Sequence, residues 1–151
     1  MFSKVIEPKN GPAAIGPYSP AIKLGDFVYV SGQLPVNEAG EIVSDSIEEQ
    51  TRQCIKNIEN VLAGANLKLH HVMKTTIFMS DLSEFAKMNE VYAQCFAQPY
   101  PARSCVQVSA LPKGAKIEIE CLVIDTLVYE AQLKGGSCSG SCSDCSGCSQ
   151  D

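Results

Sequence analysis

The chain has 151 residues, 45% of them hydrophobic, with a formal net charge of −5. That length suits one domain with a real core. No apolar run is long enough to span a membrane, and the acidic balance with no Lys/Arg cluster speaks against binding nucleic acid through its phosphates. The N-terminus Met1–Glu7 lacks the apolar segment of a secretory signal, so a cytoplasmic protein is expected.

Residues 2–7 read as a short strand, broken by Asn10-Gly11-Pro12. A stiff loop with Pro17 and Pro20 follows and offers Tyr18 either to a site or merely to the surface. Ala21–Leu24 and Phe27–Val30 are strands around the tight turn Gly25-Asp26. The second runs into Ser31-Gly32-Gln33, where a glycine at the strand end lets the backbone approach another group closely. Residues 37–40 form a further turn. Ser46-Ile47-Glu48-Glu49 has the capping-box form and opens a helix whose apolar positions include Ile47, Cys54, Ile55, Ile58, Val61 and Leu62. Gly64 and Asn66 stop it.

The adjacent pair His70-His71 comes next, expected in a solvated loop and not as part of a multi-histidine metal site. Residues 71–80 form a strand rich in β-branched side chains, and Asp81 or Ser83 caps a second helix with the stripe Phe85, Met88, Tyr92, Cys95 and Phe96. That helix must end before Pro99. Pro99 and Pro101 impose an extended approach to another strand. Along it Arg103, Cys105 and Gln107 face one way, while Val106 and Val108 face the other and look like the core side. A guanidinium at the start of a rigid strand can grip a carboxylate with two parallel hydrogen bonds; the alternative is a solvated surface arginine. After the turn Leu111–Gly114, strict alternation in residues 116–124 sets Glu118 and Glu120 opposite Ile117, Ile119, Cys121 and Val123.

Strands, helix, strand, helix, two strands make an α+β protein: a two-layer sandwich of one mixed sheet with two helices on one face. The other sheet face has no cover in the chain, which suggests an oligomer. The folded domain is expected over 1–130 and a flexible Gly/Ser/Cys-rich tail over 131–151. In the tail, Cys138, Cys142, Cys145 and Cys148 are spaced C-x3-C-x2-C-x2-C. Four thiolates so close could hold zinc or an iron–sulfur cluster, but the Gly/Ser setting offers no second shell and favours a mobile, redox-labile segment. The other four cysteines read as small buried hydrophobes.

The segments Ala14–Ser19, Ser31-Gly32-Gln33, Val72–Thr76, Pro101-Ala102-Arg103-Ser104-Cys105-Val106 and Lys116–Glu120 together resemble the RidA/YjgF family of reactive-intermediate deaminases, in register over roughly residues 2–126. The resemblance implies a chorismate-mutase-like fold and a homotrimer whose sheets form a barrel, with sites in the clefts between subunits. It implies hydrolysis of enamines and imines such as 2-aminoacrylate to 2-keto acids and ammonia, without a metal or organic cofactor. By position, Arg103 would bind the substrate carboxylate and Glu118 would activate water, with Tyr18, Ser31, Gly32, Asn89 and Cys105 lining the cleft. Two other readings remain: a non-enzymatic module that binds keto acids at the same arginine, and the endoribonuclease or translation inhibitor described for some family members.

Overall fold

The computed structural model describes residues 2–11 and 16–135, with side chains to Leu133. The cysteine-rich segment lies outside the described residues. Six strands, β1 (Lys4–Ile6), β2 (Ala21–Leu24), β3 (Phe27–Gln33), β4 (Val72–Met79), β5 (Ala102–Gln107) and β6 (Ile117–Ile124), form one sheet in the order β1-β2-β3-β6-β4-β5. Every neighbouring pair is antiparallel except β4 and β5. That exception follows from the helix between them, because parallel neighbours need a long crossover. Helices α1 (Ile47–Ala63) and α2 (Phe85–Cys95) cover one face, and a third helix, α3 (Leu127–Gly135), follows β6. The mixed sheet and α+β class agree with the sequence; α3 was not anticipated and carries helical structure past residue 130.

The core lies between the sheet and the two long helices. Ile55, Ile58 and Leu62 of α1 and Met88 of α2 meet Ile77, Met79, Ile117 and Ile119 of the central strands, all buried. Truncating one of these to alanine would cost about 2–5 kcal/mol. Helix α1 begins where expected: the Ser46 Oγ accepts the Glu49 amide at 3.4 Å. The capping box is not completed, since the Ser46 amide goes to the Ser44 hydroxyl and the Ser46 hydroxyl donates to Glu48. At the other end Asn66 takes the left-handed position, at φ 59°. The amides of Asn66 and Leu67 then return to the carbonyls of Ala63 and Leu62. Gly64 serves differently: a Cβ there would overlap the Glu7 carbonyl oxygen.

Two expectations are corrected. Val106 is 45% exposed, so the helix-covered side of β5 is that of Arg103 and Cys105. Period-two alternation separates two faces but does not say which one is covered, and on this edge strand the polar set is covered. His71 is not in a solvated loop: it is 2% exposed, in a 3-10 turn (Leu69–His71) leading into β4.

On the sheet's other face the register aligns Ile22, Tyr29 and Leu122, with Leu24, Phe27 and Ile124 beside them. Among the described residues no helix covers this side, and Tyr29 remains 56% exposed.

Candidate functional site

The side chains singled out in the sequence fall into two clusters, and the sheet separates them. Strand pairing sets Arg103 opposite Thr75, and Thr75 opposite Cys121, on the helix-covered face. It sets Glu118 opposite Phe78, and Phe78 opposite Val106, on the open face. Arg103 and Glu118 therefore leave the sheet in opposite directions, with β4 between their strands.

The first cluster is built by β5 and α2. Arg103 Nη1 donates to Asn89 Oδ1 at 2.8 Å. Its guanidinium carbon lies 4.8 Å from the centre of the Tyr92 ring and 5.5 Å from that of Phe85, a seat that holds it by cation–π attraction. The Tyr92 hydroxyl is in turn tied to Thr75 Oγ1 at 2.8 Å. The ion pairs among the described residues involve Lys23, His70, His71 and Lys116; Arg103 has no carboxylate partner. It is a positioned cation with unused donors. Cys105, two residues on, packs against the core, and burial pushes its thiol up despite the nearby guanidinium.

The second cluster lines a cavity of about 480 Å³ where β3 leaves the sheet, and it contains Tyr18, Ser31, Gly32 and Glu118. The β3–β6 register breaks between Val30 and Gln33, which frees Ser31 and Gly32 from the ladder. Ser31 holds the preceding loop: its amide donates to the Pro20 carbonyl at 3.0 Å and its hydroxyl to the Ser19 carbonyl at 2.7 Å. Gly32 is needed for close approach, because a Cβ there would stand 2.8 Å from Cδ of Glu118, inside its carboxyl group. Glu118 is half-buried. Burial first, and then the charge of Glu120, push its carboxyl above the ordinary value. A carboxyl so placed exchanges protons near neutral pH more readily than a solvated one.

Sequence reasoning missed the residues that shape this cavity. Asn57 and Gln50 are buried polar positions on α1. Asn57 Nδ2 donates to the carbonyls of Leu34 and Val36 at 2.9 and 3.0 Å. Gln50 bridges the Ser44 carbonyl, at 2.7 Å, and the Lys116 amide, at 2.8 Å. Together they fix the chain between β3 and α1 and the entry to β6. The available signal was a polar residue at a helix position that helical spacing makes inward-facing. The seat of Arg103 gave a weaker signal, since Phe85 and Tyr92 read simply as core.

Residues 8–125 match the family described as Endoribonuclease L-PSP. The chain belongs to this family, the RidA family. It is 48% identical over 120 residues to "Reactive Intermediate Deaminase A, chloroplastic" of Arabidopsis thaliana, covering 79% of this chain and 64% of that one. It is 44% identical over 127 residues to "2-iminobutanoate/2-iminopropanoate deaminase" of Escherichia coli, covering 82% and 98%. Among solved structures, E. coli TdcF with bound serine superposes with a TM-score of 0.75 at 43% identity, over 80% of this chain and 98% of that one. Both RidA clusters lie within the matched span, whereas α3 begins beyond it. Among the described residues no helix is long and apolar enough to cross a membrane.

Proposed function

We propose that this RidA-family chain hydrolyses 2-aminoacrylate/2-iminopropanoate and 2-iminobutanoate to 2-keto acids and ammonia, in sites that two subunits of a cytoplasmic homotrimer share. The observation that carries the proposal is the separation of the two clusters. An arginine with unused donors and a carboxyl with raised proton affinity are the two groups the reaction needs, yet one chain points them apart. A second copy docked on the uncovered sheet face can bring its Arg103 to this copy's Glu118. The deaminase relatives and the serine-bound neighbour support a small amino-acid-like ligand with a carboxylate. Four free cysteines in the domain suit a reducing, cytoplasmic setting.

In this reading Arg103 grips the substrate carboxylate with two hydrogen bonds, while Asn89 fixes the guanidinium plane. The enamine tautomerises to the imine. Water attacks the imine carbon, and Glu118 takes a proton from that water and returns it to nitrogen. Glu118 then carries the hydroxyl proton of the carbinolamine to its amine, and the carbon–nitrogen bond breaks as the carbonyl forms, leaving the keto acid and ammonia. Tyr18, Ser31 and Gly32 wall the cleft on the Glu118 side and Cys105 on the Arg103 side. The endoribonuclease of the family's description has less support here, given the net charge of −5. A pure keto-acid binding role is disfavoured because a second carboxylate beside an anion site weakens binding.

The test is to generate 2-aminoacrylate in situ and follow keto-acid release with and without the protein. Release clearly above the spontaneous rate is expected; equal rates would refute the activity. Sedimentation should give a trimer at micromolar concentration, and a stable monomer that still turned over substrate would refute the shared site.

A further inference from the structure

The antiparallel pairing of Val72 with Val123 sets the start of β4 beside the end of β6. The turn before β4 and the helix after β6 therefore meet. Here His70, His71 and Glu130 present one ligand atom each, all within 4.8 Å of one another. Glu130 Oε1 lies 3.2 Å from His71 Nε2 and 3.7 Å from His70 Nε2. Donors bound to one tetrahedral zinc at about 2.0–2.1 Å are separated by roughly 3.3 Å, so the two carboxylate–imidazole distances are close to those of a zinc site, and the two imidazoles close on the cation as it binds.

We infer that His70, His71 and Glu130 form a three-ligand site for a borderline divalent cation of the zinc type, which clamps α3 to the start of β4. His71 supplies the independent observation. Its side chain is almost fully buried, and Nε2 has no well-directed hydrogen bond although Glu130 stands close by. A cation at the centre of the three groups satisfies that buried nitrogen. The supporting contacts are present. His71 Nδ1 lies 3.1 Å from the Lys68 carbonyl and 3.0 Å from the Lys68 amide. With a cation on Nε2, the Nδ1–H donates to the carbonyl, the usual arrangement behind a metal-bound imidazole, and this replaces the bond that Nδ1 otherwise accepts from the Lys68 amide. Thr126 Oγ1 donates to Glu130 Oε1 at 2.7 Å and orients that carboxylate. Nearby Asp125 is engaged by Lys23 and by the Leu127 amide, leaving the cation to the other three. His70 is exposed, so a fourth position opens to water. Two imidazoles and a carboxylate select zinc, cobalt or nickel over magnesium and calcium.

His70 and His71 are the only histidines in the chain, which makes the test clean. The full-length chain carrying Cys138→Ser, Cys142→Ser, Cys145→Ser and Cys148→Ser removes the competing thiols of the tail. Calorimetric titration of that chain with zinc should show one equivalent bound. His70→Ala and Glu130→Gln, both at partly exposed positions, should each weaken zinc at least tenfold while circular dichroism stays unchanged. Cobalt should bind without the near-ultraviolet thiolate charge-transfer band. No zinc uptake by the four-serine chain would overturn the site, as would unchanged affinity in both variants or a thiolate band with cobalt; the contact would then be a plain histidine–glutamate pair.

Discussion

The two clusters on either side of the sheet are held by different forces. Arg103 is fixed before any ligand arrives: one hydrogen bond to Asn89, two aromatic rings and a tyrosine itself anchored by Thr75. Glu118 is shaped by what surrounds it. Burial and the charge of Glu120 shift its carboxyl, and the absent Cβ of Gly32 makes room for it. A rigid cation suits an anchor, because orientation supplied in advance lowers the entropic barrier. A desolvated carboxyl suits a proton carrier, because its two protonation states approach each other in energy. In the proposed reaction this contrast would divide the labour between two surfaces.

The largest expected effect comes from removing the anchor. Arg103→Ala should lower keto-acid release by about a hundredfold or more, since a charge-assisted pair of bonds is worth about 3 kcal/mol. Arg103→Lys should be severely impaired too, because an ammonium does not reproduce the two-pronged grip. Mixing chains probes the division itself. Arg103→Ala and Glu118→Gln should each be nearly inactive alone. Unfolded together and refolded as mixed trimers, they should recover about a quarter of normal activity, since one shared site in four draws both intact groups. No recovery in well-formed mixed trimers would mean that each site belongs to one chain.

A smaller effect separates two glycines that look alike in sequence. At Gly32 an added methyl meets the movable end of Glu118, whereas at Gly64 it meets the fixed carbonyl of Glu7. Gly32→Ala should therefore displace the carboxyl and cut turnover at least tenfold, with little change in melting temperature. Gly64→Ala should instead destabilise the fold by about 1–3 kcal/mol, while the folded fraction keeps its activity. Thermal melts and rates on the same samples check both, and the reverse pattern would remove Gly32 from the site.

Much of this was legible in the residues. The alternation of β6 fixed the direction of Glu118, and Ser46 marked where α1 starts. The inversion of β5 was not legible, because its helix-covered face carries Arg103, which depends on Asn89 and aromatic partners from α2 to lie there. Helix α3 was hidden for a related reason. Val128 and Leu133 are exposed, so its apolar residues form no clear buried stripe. Its start depends on Asp125, whose Oδ1 accepts the Leu127 amide at 3.1 Å. Without α3 nothing in the sequence around His71 signals burial.

The smallest effect concerns Cys105, the remaining reactive group beside the anchor. A thiolate nucleophile would need its proton affinity lowered by a nearby cation. Arg103 does pull in that direction, but burial outweighs it and the thiol is shifted upward. At neutral pH the sulfur therefore stays protonated. Cys105→Ser keeps the size of the group and removes only the sulfur chemistry. If water is the nucleophile, that variant should lose no more than a few-fold in keto-acid release. The measurement is the same in situ 2-aminoacrylate assay, with sedimentation as the control for assembly. A loss comparable to that of Arg103→Ala would point to covalent attack by the thiol, and the water mechanism would have to be abandoned.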